Sequence, residues 1–327
     1  MPAARGPRPP GRRRKPRVRF LRDTEESDSY ALDVKTIDDR RLDAAERFML
    51  LNARLIDRLR FAHLFRGGSA DAVVAALRPY QNSDGGFGHS LEPDARTPLS
   101  QPLTTMVALD VLDELGRFDG DVVGPVCDYL LSITTPDRGV PFVHPSIRPY
   151  PRAPWWETDD NPSGSLLPTA HIAGLLHKHG VDHPWLEPAT AFCWEWAEAT
   201  GETHAYEVRS LLPFLDHAPD RPRAEAIAQG LGTLVFDQSL VALDPDAPGE
   251  VHTPLDFATA PDSLARRWFS DDVISAHLDA LVGAQQSDGG WTFNWQMWTP
   301  ITGFEWRGEV TVGYLARLDA YGRLSRD

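Results

Sequence analysis

Apolar positions recur at helical spacing along most of the chain. The first strong pattern runs from Leu42 to Leu64. Further helices are predicted over 69–80, 102–116, 122–133, 166–179, 185–199, 204–217, 221–236, 255–268, 271–285 and 307–323. No segment alternates apolar and polar residues with a period of two, so little or no sheet is expected. The helices fall into two classes. The 102–116 segment is apolar nearly all round (Leu103, Met106, Val107, Leu109, Val111, Leu112, Leu115), whereas 221–236 keeps a charged face. A helix apolar on every side is buried, and buried helices alternating with half-exposed ones suit a two-layer ring. The buried set begins alike, at Pro102-Leu-Thr-Thr, Pro168-Thr-Ala and Pro254-Leu-Asp. Proline is favoured in the first helical turn, where its missing N–H is not needed. Starts near 44, 102, 168, 204, 254 and 307 give six candidate inner helices, spaced as in solenoids and toroids.

Two outer-type helices end in the same turn, Gln81-Asn-Ser-Asp84-Gly85-Gly86-Phe87 and Gln285-Gln-Ser-Asp288-Gly289-Gly290-Trp291. A degenerate copy is Thr135-Pro-Asp137-Arg-Gly139-Val-Pro-Phe142. The glycines stop the helix by taking positive φ, and the Asp can bond nearby amides. This turn resembles the QW repeat of the α-toroids, which include squalene–hopene and related terpenoid cyclases and the protein prenyltransferase β-subunits. The resemblance covers residues 40–325 by rhythm, and by motif at these turns. It implies an all-α (α/α)6 toroid, a double ring of helices with a central apolar cavity. A shared fold does not by itself give the reaction.

Tested residue by residue, the family's chemistry departs here. A protonating cyclase carries Asp-x-Asp-Asp-Thr-Ala at an inner helix, and the matching stretch is Ser165-Leu166-Leu167-Pro168-Thr169-Ala170. The Thr-Ala is present and the three acids are not. Prenyltransferase and lanthionine-cyclase zinc sites need Cys and His ligands. Cys127 and Cys193 are isolated among apolar residues and do not supply them.

Other acids offer themselves. Glu157, Asp159 and Asp160 follow Trp155-Trp156, and clustered carboxylates could share a raised pKa or hold Mg²⁺. They read equally as a solvated acidic loop. Glu92, Asp94 and Arg96, in the loop that leads to Gln101 and the next inner helix, read as an anion or metal site or as a buried ion pair. Aromatic and polar groups that could shape a substrate are Trp298, Phe304, Glu305, Trp306 and Arg307 near the last inner helix. His204 and Tyr206 stand at another. His171, one residue past Thr169-Ala170, is read as a lumen group or a satisfied core histidine.

Charge narrows the partners. Residues 1–22 hold nine of the 33 Lys and Arg and no acid, leaving 24 bases against 47 Asp and Glu in the remainder. An acidic body does not suit nucleic acid. The basic, Pro-rich arm, placed at residues 1–37 with one domain over 38–327, is expected to be disordered. It reads as a leader or as a tether to an anionic surface. No secretory signal or membrane span is visible, so the expected location is cytoplasmic. The leading expectation is a terpenoid-cyclase-like enzyme acting on an apolar isoprenoid. Initiation would fall to Glu157, Asp159, Asp160, Glu92 or Asp94, with no cofactor required unless the acids bind Mg²⁺. A lipid- or peptide-binding toroid and a sugar-active α/α barrel are the alternatives.

Overall fold

A computed structural model describes residues 34–325, and all but the last few residues of the predicted arm lie outside them. Residues 34–37 join the body, since Ile37 is buried and pairs with Leu324. Among the described residues every regular element is helical, with four isolated β-bridges and no strand. The elements are α1 (Asp39–Asn52), α2 (Leu55–Arg66), α3 (Ala70–Leu77), α4 (Pro102–Glu114), α5 (Gly120–Ser132) and α6 (Leu166–Lys178). They continue as α7 (Leu186–Ala199), α8 (Ala205–His217), α9 (Arg221–Asp237), α10 (Pro254–Phe257), α11 (Asp271–Gly283) and α12 (Pro300–Ala320). No described helix is long and apolar enough to cross a membrane.

Three expected boundaries are corrected. The Leu42–Leu64 pattern is two helices, because Ala53 and Arg54 both take extended backbone (ψ 157° at each). The 255–268 pattern is one α-turn, opened by a Thr253–Asp256 capping box, followed by a separate 3₁₀ turn at Leu264–Trp268. The last helix starts at Pro300 rather than 307.

Even-numbered helices sit side by side. α4 lies against α6, α6 against α8, α8 against α10, and α12 against α2. Side chains join the remaining neighbours. Arg60 on α2 forms a bidentate pair with Glu114 on α4 (2.7 and 2.8 Å). The Tyr321 hydroxyl at the end of α12 donates to Ala258 O just past α10 (2.8 Å).

The repeated turns are built alike. Gln81 Nε2 donates back to Gly85 O (3.0 Å) and out to Val122 O on α5 (3.3 Å). Gln285 Nε2 donates to Gly289 O and to Arg41 O on α1 (2.9 Å each). The first turn thus docks on α5, and the last turn docks on α1. Gly86 and Gly290 N–H donate to the turn aspartates at 3.0 and 3.1 Å. The residue after each turn donates its buried N–H to a threonine of the next even-numbered helix (α4, α6 or α12): Phe87 to Thr105, Val140 to Thr169 and Trp291 to Thr311 (3.0, 2.9 and 3.0 Å). The 135–142 segment is therefore a true third copy, with Arg138 at φ 77° taking the glycine's place.

Gly85 and Gly289 have φ of +91° and +95°, and a Cβ on either would lie 2.0 Å from a carbonyl oxygen of the docked helix. Both the backbone conformation and the space exclude a side chain. Gly289→Ala is expected to lower stability by at least about 2 kcal/mol, measured by chemical denaturation. The neighbouring Gly283→Ala, where a Cβ meets nothing, is the matched control and is expected to leave stability unchanged or slightly raised.

Candidate functional site

The loops that follow the first and third turns, 88–101 and 141–165, pair through an isolated bridge between Ala95 and Arg152. Arg96 N donates to Pro151 O (3.0 Å) and Ala153 N to Asp94 O (2.9 Å). Beneath them Ala95, Leu103, Val143, Ile147, Ala153 and Trp156 form a small apolar cluster of their own, with Trp298 against it. This second core anchors the loops, so Trp156 serves packing.

Asp94 lies above that core and is 4 % exposed. Its carboxylate accepts the indole N–H of Trp155 at Oδ2 (3.2 Å) and of Trp306 at Oδ1 (3.1 Å). The Trp298 indole is near enough to favour the charged form but makes no hydrogen bond, so its N–H is buried without a partner, as is the Thr299 hydroxyl. Burial raises the Asp94 pKa, and the indole donors lower it only in part. Glu92 beside it is buried, with Oε2 accepting Asp94 N (2.8 Å). Burial and the Asp94 charge push its pKa well above the carboxylate range. Glu92 therefore shapes the loop through its bond to Asp94 N, while Asp94 faces the tryptophans. Trp155 keeps 39 % of its surface exposed, and Phe304, Ile301 and Met297 on the neighbouring segment are exposed as well.

Other expected site residues have structural partners. Arg96 forms a bidentate pair with Glu305 (3.1 and 2.5 Å), tying the loop to α12. Gln101 accepts from His144 N and donates to Ser146 Oγ (3.0 Å each). Arg307 grips Asp288 through two 2.8 Å bonds, donates to Trp291 O and lies over the Phe48 ring, so it braces the last turn. Glu157, Asp159 and Asp160 do not form a desolvated cluster. All three are exposed, Glu157 pairs with Arg152 and Asp160 with Arg148. Among the described residues no three His, Cys, Asp or Glu side chains are set to hold a metal ion. Cys127 and Cys193 are buried free thiols, and burial pushes Cys127 up to about 12.

A second set of groups lies on the inner helices. On α2 and its N-cap, Arg54, Asp57 and Arg60 occupy one face at i, i+3 and i+6. They meet Glu309 of α12 (Arg54 3.3 Å, Arg60 2.7 Å) and Glu114 of α4. Asp57 is fully buried and Arg60 is 3 % exposed. Glu309 and Glu114 each keep 24 % of their side-chain surface. Burial raises the Glu114 pKa; Glu309 is held low by Arg60 and Arg54 against its burial. On α6, His171 Nε2 donates to Asp110 Oδ1 of α4 (2.5 Å). Burial alone would lower this histidine, but the Asp110 charge and hydrogen bond outweigh it and the pKa is raised. His204 caps α8 and is exposed; Tyr206 donates to Glu250 (3.0 Å).

Arg54, Asp57, Arg60, Asp110 and Glu114 were not singled out in the sequence. A charge stripe at helical spacing inside the otherwise apolar Leu55-Ile-Asp-Arg-Leu-Arg-Phe run was the available signal. No protein-family model matches the chain, and no curated protein matches it in sequence.

Arg60→Ala leaves Glu114 without its cation and leaves Asp57 and Glu309 with Arg54 alone, and is expected to cost about 3–5 kcal/mol in denaturation. The His171–Asp110 pair sets a pH signature. A histidine raised on folding stabilises fully below its unfolded value, about 6.5. That contribution is lost as pH rises through the raised value. The stability difference between wild type and His171→Gln should therefore be largest at acidic pH and shrink through neutrality. A difference that is flat or grows with pH would contradict the pairing.

Proposed function

We propose that this chain is an acid–base enzyme on a closed (α/α)6 toroid. Asp94 is its proton donor, and a polar, carbohydrate-type substrate reaches from the Asp94 loop into the space between the inner helices. The ring is supported by the docking of the last turn on α1 and the contact of α12 with α2. The observation that carries the chemistry is Asp94 itself: a desolvated carboxyl with its pKa raised. The two indole N–H donors stabilise the carboxylate it leaves behind.

The polar substrate is supported by what surrounds the acid. The inner helices present Glu309, Glu114, Asp110, His171 and Arg54 rather than an apolar wall. Hydrocarbon against such groups would strand their charges. The unpartnered Trp298 N–H and Thr299 hydroxyl suit a hydroxyl or ring oxygen of a ligand, and the exposed face of Trp155 suits stacking on a sugar ring. The second reading is acid-initiated cyclisation of an isoprenoid by the same Asp94, favoured by the exposed Phe304, Ile301 and Met297 near it.

Purified protein incubated with a panel of oligosaccharides, and separately with farnesyl diphosphate, geranylgeranyl diphosphate and squalene, decides between them by product analysis. Asp94→Asn is expected to lower turnover by about 10²–10⁴-fold, the contribution of a positioned acid, while its thermal melt stays close to wild type. Because the acid form must be present, activity should fall as pH rises through the raised Asp94 pKa. Turnover of the isoprenoids alone would favour cyclisation. Wild-type turnover by Asp94→Asn would overturn both readings.

A further inference from the structure

The interior arginines mostly have carboxylate partners: Arg54 with Asp57, Arg60 with Glu114, Arg96 with Glu305, Arg317 with Asp256 and Arg323 with Asp279. Arg209 on α8 is different. Among the described residues no carboxylate lies within ion-pair distance of its guanidinium. Its hydrogen bond is a 3.3 Å donation from Nη1 to His252 Nδ1. The guanidinium carbon stands 5.5 Å from the Tyr206 ring centroid. A guanidinium has five N–H donors in a fixed fork, so most of this one's donors are uncommitted.

Its surroundings come from four inner helices. His171 of α6 and Tyr314 of α12 both feel the Arg209 charge. Asp256 of α10 feels it too, but its own oxygens are used: Oδ2 accepts Thr253 N (2.8 Å) and Oγ1 (2.9 Å), and Oδ1 accepts from Arg317 (3.4 Å). His171 is balanced by Asp110 (2.5 Å). His252, set edge-on to Tyr206 at 4.7 Å, has its pKa lowered by burial and by Arg209. That direction agrees with its place as an acceptor from the guanidinium. Glu250 is engaged by the Tyr206 hydroxyl (3.0 Å). Arg209 helps hold Asp256 charged from a distance, but among the described residues no carboxylate accepts its N–H donors.

We propose that Arg209 is the anchor of an anion-binding site on the inner helices, taking a carboxylate or phosphate group of a small ligand through its guanidinium fork, with Tyr206 and His252 beside it. The planar fork matches two oxygens of such a group, which an ammonium does not. The inference rests on the reading of the inner-helix space as the substrate space. It adds that the substrate is an anionic sugar, a uronate or a sugar phosphate.

Isothermal titration of the whole protein with glucuronate, glucose 6-phosphate, inorganic phosphate and uncharged glucose tests it. Glucuronate or glucose 6-phosphate is expected to bind and glucose to bind more weakly. Glucuronate without the phosphates assigns a carboxylate, and the reverse assigns a phosphate. Arg209→Gln, which removes the charge but no ion pair and keeps a polar side chain, is expected to weaken that binding about 10- to 100-fold. Arg209→Lys should recover part of it. Asp94→Asn should bind as tightly as wild type, so failure of the proton donor and failure of the anion site are told apart. Equal binding of charged and uncharged sugars, no binding of any, or wild-type affinity in a folded Arg209→Gln would overturn the proposal.

Discussion

Three threonine hydroxyls set the geometry of this protein. Each accepts the buried backbone N–H of the residue that follows a turn: Thr105 from Phe87, Thr169 from Val140, Thr311 from Trp291. A buried N–H left without an acceptor costs about 1–3 kcal/mol, so the inner helix is held at one register relative to the outer helix before it. The side-chain amides of Gln81 and Gln285 fix the other direction, reaching from the turn to the next outer helix. The chain between turn and threonine is then free to vary. It is a long loop at 88–101, longer still at 141–165, and short before α12. A few polar contacts of defined geometry thus set the register of the scaffold, and the loops between them differ in length.

That division explains what could be read from the residues alone. Gln-x-x-Asp-Gly-Gly-aromatic is local: helix stop, positive φ and side-chain return lie within seven residues, so both copies and the degenerate 135–142 copy were legible. The helical rhythm was legible for the same reason. The Thr169-Ala170 pair was recognised only against a family motif, whereas its physical role is to hold Val140. Breaks without glycine or proline, such as Ala53-Arg54, leave no local mark, and the 255–268 run is apolar because Leu255, Phe257 and Leu264 fill the core from irregular backbone. Asp94 was visible as a candidate, but not its contacts. Its indole donors come from Trp155 and Trp306, far apart in the chain and brought together by the fold. Glu157, Asp159 and Asp160 looked equally suitable and are solvated instead.

The charges on the inner helices follow a different logic from the core. Burying Asp57 and Arg60 carries a desolvation cost that pairing offsets only when every partner is present. Replacing such a network by apolar side chains often leaves stability unchanged or higher. Its retention on α2, α4 and α12 is therefore poorly explained by stability. What the network does visibly is join α2 to the α4 and α12 helices through Arg60 and Arg54.

The threonine register also accounts for the candidate site. Thr105 and Thr169 come three residues after the first residue of their helices, but Thr311 comes eleven after Pro300. Relative to its siblings α12 is longer at its start by eight residues, about 12 Å at 1.5 Å per residue. The sequence pattern places the helix start at 307, within one residue of where an ordinary copy would begin. The extra turns carry Phe304, Glu305 and Trp306 past the start of an ordinary inner helix to the level of the 88–101 loop. There Glu305 takes Arg96 and Trp306 donates to Asp94. An α12 beginning at the common register would leave Asp94 with one indole donor and Arg96 without a partner. The local departure from the repeat, rather than the repeat, is what assembles the desolvated acid.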